Sequence, residues 1–336
     1  MTDKSLLVDL LRQNLNPLTD TGRYDWLFLG NPHGTARIWL AYDDATGDII
    51  GSGAAIPRQV FVGGLEVHCT VLADFWIDAR HRVLGPALKL QRACLSAVDD
   101  GSFALAYDMP RQSMSAVYKR LGIPLNHALV RMTRPLRVDR QISSRIKVQL
   151  ASHAASLIAN GFLWLRDAAS MRPLRSDVTL GVLDFGPEFS VLARKLAVQY
   201  SLSVARTAEY LNWRFRDHFR HRFELLTSRK NSELLGYVVV LQSAIAIDVV
   251  DLLCGDDDST LRDLMITVIG LARARDKEVV NIVVLESSRL ATALRRLGFY
   301  PRNRQEFVVY APKSEALANR IGGGASWSFM AGDEQD

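Results

Sequence analysis

The fold is decided by residues 74–88, DFWIDARHRVLGPAL, in which an apolar strand is followed by a basic turn and then by a helix. The turn carries Arg80 and Arg82, and Pro86 is predicted at the first helical position. The N–H groups of a first helical turn are unpaired and lie at the positive end of the helix dipole, so such a turn binds phosphate groups. Gly85 lets the backbone approach a phosphate without a Cβ in the way. The stretch therefore predicts a pyrophosphate-binding loop.

Around this stretch, the order of strands and helices predicts a mixed sheet. A strand at 71–77, a helix at 86–98 and a strand at 103–107 form the unit that is typical of a parallel crossover. Segments 37–41 and 237–240 are instead typical of hairpin strands. The sequence therefore predicts an α/β (α+β) fold, in which a mixed, mostly antiparallel sheet carries helices on its faces.

Two pairs of segments indicate that the chain repeats itself. YDWLF at 24–28 is matched by YLNWRF at 210–215, and AVYKRLGI at 116–123 is matched by TALRRLGF at 292–299. Both matches keep their order and nearly the same separation, so duplication explains them better than chance does. A repeat of this length indicates two domains rather than a solenoid.

Composition and charge exclude several classes of protein. The 336 residues are 48% hydrophobic and 23% charged, which is the balance of a soluble globular protein. The net charge of +5 suits phosphate-bearing ligands and falls short of a nucleic-acid signature, so no DNA partner is expected. Cys69, Cys94 and Cys254 lie far apart in apolar stretches and are interpreted as buried side chains in a reducing compartment.

The location of the protein is predicted from its apolar segments, which lack the features of a signal peptide and of a membrane span. The N-terminus has no apolar signal segment with a small-residue cleavage site. The most membrane-like segment, 148–165, contains Gln149, His153 and Asn160, so we interpret it as a helix buried against protein. We therefore expect a cytoplasmic protein with no stable membrane insertion.

Two motifs carry a family resemblance. RVLGPA at 82–87 resembles the Arg/Gln-x-x-Gly-x-Gly/Ala loop with which GNAT acyltransferases hold the pyrophosphate of CoA. YKRLGI at 118–123 is similar to the family's Tyr-x-x-Leu-Gly-Phe segment. The two motifs follow in the family's order within residues 24–130. The whole chain resembles the tandem GNAT proteins that often accompany bacterial polysaccharide or envelope functions.

The resemblance implies a mechanism and a cleft. An acetyl or other acyl group on CoA would lie where the strand ending near Asp78 splays from the strand ending near Tyr107. An amine would attack the thioester directly in a ternary complex, while backbone N–H groups polarise the acyl carbonyl. Tyr118 matches the tyrosine that protonates the leaving thiolate in many members. No metal is implied.

Several further residues are candidates in this cleft. The general base is left open among Asp74, Asp78, Asp108 and His81, of which we favour Asp74 and Asp108 as catalytic residues beside Tyr118. The residues predicted to bind the donor form one run from the end of the strand into the helix: Trp76, Ile77, Asp78, Arg80, Arg82, Val83, Leu84, Gly85, Pro86 and Ala87.

The chain departs from the family pattern in both repeats. In the first, Pro86 removes one backbone donor from the loop, and Arg111 stands where the family usually has Asn. In the second, the loop position holds three carboxylates at 256–258, which suit a helix cap better than a pyrophosphate. Leu294 occupies the tyrosine position. We expect the second repeat to be structural or to shape the acceptor pocket.

These observations predict a domain plan. Residues 1–140 form a GNAT-like domain with the CoA loop, 141–187 form a linker with a helix, and 188–336 form a degenerate GNAT-like domain with a tail. In that tail Trp327 and Phe329 alternate as in a short strand, which predicts that it docks back onto a domain.

The favoured function is transfer of an acyl group from CoA to an amine of a small molecule or an amino sugar. Two alternatives stay open. A tandem transferase could instead take its acyl group from aminoacyl-tRNA, which the basic stretches at 131–147 and 214–222 favour slightly and the CoA-like loop disfavours. A non-catalytic acyl-CoA-binding protein would bind the donor without consuming it.

Overall fold

The two halves of the chain share one order of helices and strands. The computed structural model describes residues 4–82, 84–137, 161, 174–255, 257–311 and 315–334. We call residues up to 137 the first half and 174–334 the second half. The first half contains α1 (Lys4–Asn14), α2 (Thr21–Tyr24), a π-helical turn (Asp25–Leu29), β1 (Arg37–Tyr42), β2 (Ile49–Val62), β3 (Leu65–Ile77), α3 (Leu84–Asp99), β4 (Ala106–Asp108), α4 (Ser115–Arg120) and β5 (His127–Pro135).

The second half repeats that order with additions at both ends and with one strand, β7 (Leu202–Val204), inserted between its first two helices. It contains β6 (Asp177–Gly181), α5 (Pro187–Ala197), β7 (Leu202–Val204), α6 (Ala208–Leu211), a π-helical turn (Asn212–Arg216), β8 (Phe223–Lys230), β9 (Glu233–Gln242), β10 (Ala246–Cys254), α7 (Asp258–Ala274), β11 (Val279–Leu285), α8 (Arg289–Arg296), β12 (Tyr300–Tyr310), α9 (Glu315–Ile321) and β13 (Trp327–Ser328).

Hydrogen bonds join the described strands into one 13-stranded sheet. Its order is β13-β7-β2-β3-β4-β12-β5-β11-β10-β9-β8-β6, and β1 pairs with β2 beside this path. Most neighbours are antiparallel, as in the β2–β3 hairpin, whose turn residues Gly63 and Gly64 have φ of 57° and 84°. Positive φ at both central positions is what a type I′ turn requires. The predicted crossover pair, β3 with β4, is parallel, and so is the equivalent pair of the second half, β10 with β11.

The two halves exchange their last strands. β5 belongs to the first half, yet it lies between β11 and β12 of the second half. β12 in turn pairs with β4 of the first half. Each half therefore completes its sheet with the strand of the other, and the two halves share a continuous run of backbone hydrogen bonds.

A pair of tryptophans joins the halves at equivalent positions of the repeat. The rings of Trp26 and Trp213 are stacked, with centroids 4.7 Å apart, and each indole Nε1 donates to the backbone carbonyl of the other at 2.9 and 3.0 Å. The guanidinium of Arg58 lies 4.8 Å over the Trp213 ring, and that of Arg214 lies 5.3 Å over the Trp26 ring. Because the two hydrogen bonds are reciprocal, the repeat has an approximate twofold relation here. The two cation–π contacts come from different elements, Arg58 from β2 and Arg214 from the π-helical turn, and add to the packing of the pair.

This architecture bears on the predictions made from sequence. The mixed sheet with flanking helices is confirmed. The helix predicted to start at Pro86 starts at Leu84, so Pro86 is its third residue; its missing N–H is still harmless, because first-turn donors have no partner within the helix. The three cysteines are buried. Segment 148–165 lies outside the described residues. In the part of the chain that the structure describes, no helix combines the length and the apolar character needed to cross a membrane.

Candidate functional site

A cavity of about 750 Å³ opens where β3 and β4 separate. The two parallel strands pair only at Thr70 with Ala106 and at Val71 with Tyr107. β3 then continues to Ile77, while β4 ends at Asp108. We call this space the first cleft, and it is the splayed gap that the sequence resemblance implied.

The wall of the first cleft on β3 contains a β-bulge. Asp74 and Phe75 together oppose Gly53 of β2, and Asp74 has a φ of 50°, in the left-handed region. A bulge of this kind leaves one residue out of the ladder. Both carboxylate oxygens of Asp74 accept from the guanidinium of Arg23, at 2.9 and 3.0 Å, and both side chains are largely buried. The predicted catalytic residue Asp74 therefore lines the cleft as half of an ion pair.

The first turn of α3 forms another part of the wall. Arg82, Leu84 and Ala87 line the first cleft, and Arg82 Nε donates to the carbonyl of Ile77 at 3.2 Å. A Cβ added at Gly85 would meet nothing within 4 Å, so open space lies against the backbone at this point. A helix start with open space and an arginine beside it has the properties of a phosphate site.

The other predicted loop residues have mixed placements. Trp76 and Ile77 line the first cleft, and the indole Nε1 of Trp76 is buried without a hydrogen-bond partner among the described residues. Asp78 caps the turn Ala79–His81 by accepting from the backbone N–H of Arg80 at 2.8 Å, and its side chain also pairs with Arg80. These hydrogen bonds keep the pKa of Asp78 below its usual range.

The remaining residues that the sequence analysis singled out, His81, Arg111 and Val83, differ in their placement. His81 Nδ1 lies 3.6 Å from a carboxylate oxygen of Asp43, and His81 is not among the described residues that line the first cleft. Arg111 does line it. Val83 lies outside the described residues.

A short hydrogen-bonded chain, Gln91–Tyr118–Asp108, forms the polar end of the first cleft. Gln91 Nε2 donates to the Tyr118 hydroxyl at 2.9 Å, and that hydroxyl donates to the Asp108 carboxylate. Gln91 and Asp108 line the cleft, whereas Tyr118 is fully buried behind them. The structure thus brings two predicted catalytic residues into one hydrogen bond.

The surroundings of Asp108 favour its protonated form. Burial raises the pKa of Asp108 to about 7, the hydrogen bonds from Tyr118 and the Met109 backbone oppose this, and the negative charge of Glu334 adds to it. Burial and the neighbouring Asp108 raise the pKa of Tyr118 well above its usual value. A carboxyl group with a pKa near 7 is suited to exchanging protons at neutral pH.

The second half supplies two residues to the first cleft that the sequence did not point to. Gln305 on β12 and Glu334 in the C-terminal segment line the cavity. Gln305 Nε2 donates to the carbonyl of Met109 at 2.9 Å and to Glu334 Oε1 at 3.2 Å. Gln305 reaches this site because β12 is exchanged into the first half, and no local sequence pattern announces such an exchange.

The equivalent gap in the second half, between β10 and β11, is occupied by the chain itself. Trp327 and Phe329 line what remains there, a cavity of about 500 Å³ that we call the second cleft. Met330 forms a bridge with Val284 of β11, and its sulfur accepts from the N–H of Leu252 on β10. The docking of this segment, predicted from its alternating aromatics, is confirmed: β13 pairs with β7. Asp257 caps α7, as expected, by accepting from the N–H of Ser259.

Comparison with known proteins identifies the fold. No family model and no curated protein matches the sequence. A GCN5-related N-acetyltransferase from Anabaena variabilis aligns with a TM-score of 0.65 at 13% identity, over 92% of this chain and 70% of that one. A conserved protein from Enterococcus faecalis, described as a probable N-acyltransferase, gives 0.65 at 11% identity with the same coverage.

A third likeness agrees with these two. A GCN5-related N-acetyltransferase from Kribbella flavida aligns with a TM-score of 0.60 at 13% identity, over 91% of this chain and 68% of that one. With more than nine tenths of this chain covered, each alignment extends over both halves. The chain has the fold of GCN5-related N-acetyltransferases.

Proposed function

We propose that this chain is an acyl-CoA-dependent N-acyltransferase, which moves an acetyl or longer acyl group to the amine of a small molecule or an amino sugar. One observation carries the proposal: a single cavity joins the open first turn of α3 to a buried carboxyl group, Asp108, with a pKa of about 7. The likeness to N-acetyltransferases supports the reaction class by analogy.

The residues at the start of α3 fit the pyrophosphate of the donor. Arg82 supplies charge, the first turn supplies backbone N–H groups other than that of Pro86, and Gly85 leaves room for close approach. From Leu84 to Gln91 the helix rises by about 10 Å, at 1.5 Å per residue. A donor held at Leu84 can therefore extend along the cleft towards Gln91 and Asp108. When bound, acyl-CoA supplies a thioester that an amine can attack.

The polar chain at the other end fits the proton transfers. We assign Asp108 as the group that accepts the proton of the attacking ammonium, since its pKa lies near neutral pH. A nitrogen–carbon bond forms, the carbon–sulfur bond breaks, and the thiolate takes up a proton. Tyr118 remains our candidate for delivering that proton, and its hydroxyl reaches the cleft through Asp108 and Gln91. Asp74 is the less suitable candidate, because both its oxygens already accept hydrogen bonds from Arg23.

Several further predictions from the sequence belong to the same proposal. They are the domain plan 1–140, 141–187 and 188–336, a cytoplasmic location, a link to envelope or polysaccharide chemistry, and a reaction without a metal. The exchanged strands support a second half that serves the first, because Gln305 of β12 contributes to the first cleft.

Titration calorimetry with acetyl-CoA and longer acyl-CoAs tests the proposal. Wild type should bind, and Gly85→Trp should weaken binding at least about 100-fold, because an indole would fill the space against the first turn of α3. Gly270→Trp is the matched control: Gly270 is also helical with open space at its Cβ, but it lies in α7, outside the first cleft.

The outcome also separates the alternatives. Failure of wild type to bind any acyl-CoA would reject the proposal and favour an aminoacyl-tRNA donor. Binding without thioester consumption in the presence of an amine panel would favour the non-catalytic alternative.

A further inference from the structure

The C-terminal segment of the second half reaches the first cleft. Residues 330–334, which we call the tail, follow β13, and the last described residue, Glu334, lines the cavity together with Asp108. The side chain of Glu334 accepts from Gln305, which also binds the carbonyl of Met109, the residue after Asp108. Glu334 is therefore fixed against the loop that follows the reactive carboxyl group.

Buried charges of the second half hold the tail in place. The Asp333 carboxylate accepts from Arg206 at 2.9 Å and from the N–H of Met330 at 2.8 Å. Arg206 also donates to Asp251 at 2.8 Å, and Asp251 accepts from the hydroxyl of Tyr237 at 2.7 Å. The ionic side chains of this cluster are 1–2% exposed. A buried arginine shared by two carboxylates positions its partners firmly, because breaking one contact leaves a charge unpaired.

The backbone of the tail is held as well. Arg214 donates to the carbonyls of Gly332 and Glu334, at 2.8 and 2.9 Å. The hydroxyl of Tyr107, the neighbour of Asp108 on β4, donates to the carbonyl of Asp333 at 3.2 Å. The tail is thus bound from both halves, and its geometry is determined before any ligand arrives.

We propose that Glu334 is the carboxylate that recognises the acceptor in the first cleft, and that it selects amines that carry a second positive charge. The proposal rests on the proposed function. Asp333 is a positioning residue, which holds Glu334 in the cleft through Arg206.

The charges of the first cleft favour such an acceptor. Among the described residues, the charged side chains that line it are Arg23, Asp74, Arg82, Arg111, Asp108 and Glu334. Arg23 and Asp74 neutralise one another, and Arg82 lies at the phosphate end, so two carboxyl groups, Asp108 and Glu334, and one cation, Arg111, remain. The negative charge of Glu334, which lies near Asp108, raises the pKa of the Asp108 carboxyl group. While Asp108 receives the proton of one amine, Glu334 can bind a second ammonium by a charge-assisted hydrogen bond.

Three amines of equal chain length test this selectivity: 1,4-diaminobutane, n-butylamine and 4-aminobutanoate. Turnover with acetyl-CoA and binding in the presence of CoA are measured for each. Wild type should prefer the diamine. Glu334→Gln should raise KM for the diamine about tenfold, leave kcat within about twofold and leave n-butylamine nearly unchanged. It should also move the acid limb of the kcat/KM profile to lower pH, since a negative charge near Asp108 is removed.

Two further variants separate recognition from a structural role. Asp333→Asn should reproduce the rise in KM for the diamine, because Glu334 loses its anchor. Glu233→Gln is the matched control, since Glu233 is an exposed second-half carboxylate that pairs with Lys195, and it should change nothing.

The possible failures are distinguishable. If wild type binds acetyl-CoA but treats the three amines alike, or binds none of them, the selectivity of Glu334 is wrong and the proposed function stands. If acetyl-CoA does not bind, both are wrong.

Discussion

The first and second clefts are built on the same framework and differ in their contents. Both lie between parallel strands that separate beside the start of a long helix. The first cleft contains the polar chain Asp108, Tyr118 and Gln91. Val284 and Leu294 have the same ten-residue spacing as Asp108 and Tyr118, and Met265 stands as far into α7 as Gln91 does into α3. All three second-half side chains are buried in an apolar core.

The difference lies in what fills each gap. In the second half, apolar residues replaced the titratable groups, and Trp327 to Met330 occupy the gap. The same segment continues as the tail into the first cleft. In the second half the gap is thus filled by the chain itself, and residues of this half form part of the wall of the first cleft.

The largest expected effect comes from Asp108, whose equivalent position in the second half holds Val284. Asp108→Asn should lower kcat about 10² to 10⁴-fold, the usual contribution of a general base. Wild-type activity should rise with pH through about 7, because Asp108 must be ionised to accept a proton. Steady-state kinetics over pH 5–9 measure both. Retention of more than a tenth of the wild-type activity would contradict the assignment.

The stability of this variant provides its control. Folding raises the pKa of Asp108 from 3.8 to about 7, so this group favours the folded state at low pH and loses that contribution as pH rises through 7. Asp108→Asn should therefore be at least as stable as wild type at pH 8. Asp257→Ala removes one of the two carboxylates that line the second cleft. It should lower the free energy of unfolding by about 1 kcal/mol, because α7 loses its N-cap, and it should leave kcat unchanged.

A change of intermediate size is expected from opening the second cleft. The side chain of Trp327 is buried, packs on His127 and donates to the carbonyl of Ile321 at 2.7 Å. Trp327→Ala should lower the free energy of unfolding by about 3–5 kcal/mol, as measured by urea denaturation. Acyl-CoA should still bind once per chain, because Asp257 and Asp258 repel phosphate from this cleft. Binding of a second equivalent of acyl-CoA in calorimetry would show that only the segment from Trp327 to Met330 distinguishes the two clefts.

The smallest effect is a displaced pH profile. The hydrogen bond from Tyr118 lowers the pKa of Asp108, so Tyr118→Phe should raise that pKa and move the acid limb of kcat/KM to higher pH, by roughly half a unit to one unit. The kcat at pH 9, where Asp108 is ionised in both proteins, tests the second role of Tyr118. A kcat that stays low supports delivery of the proton to the thiolate by Tyr118, and full recovery would reject that role.

The sequence predicted those features that depend on neighbouring residues. The strand, turn and helix at 74–88 lie together because their signals are local, and the similar order of elements in the two halves agrees with the duplication that the two matched segments predict. The short strand β13 was predicted from the alternation of Trp327 and Phe329. Asp108 and Tyr118 were both named as catalytic candidates from the sequence, and the structure joins them by a hydrogen bond.

The missed features depend on pairings between distant segments. Any strand with alternating side chains can pair with any edge, so nothing in β5 or β12 reveals that they change partners. The ion pair of Asp74 with Arg23 could not be predicted, because Arg23 lies on a different element and only the tertiary fold brings it close. Glu334 was missed for the same reason, since it reaches the first cleft through the exchanged strand and the tail.

The exchange of β5 and β12 determines how the protein is made. During synthesis β5 emerges early, and its partners β11 and β12 follow only after well over a hundred further residues. Until then β4 and β5 present open edges, which favour wrong pairing and association with other chains. The nascent first half must therefore wait for β12 before its sheet is complete, and a message cut between the halves would leave the first cleft without Gln305 and Glu334.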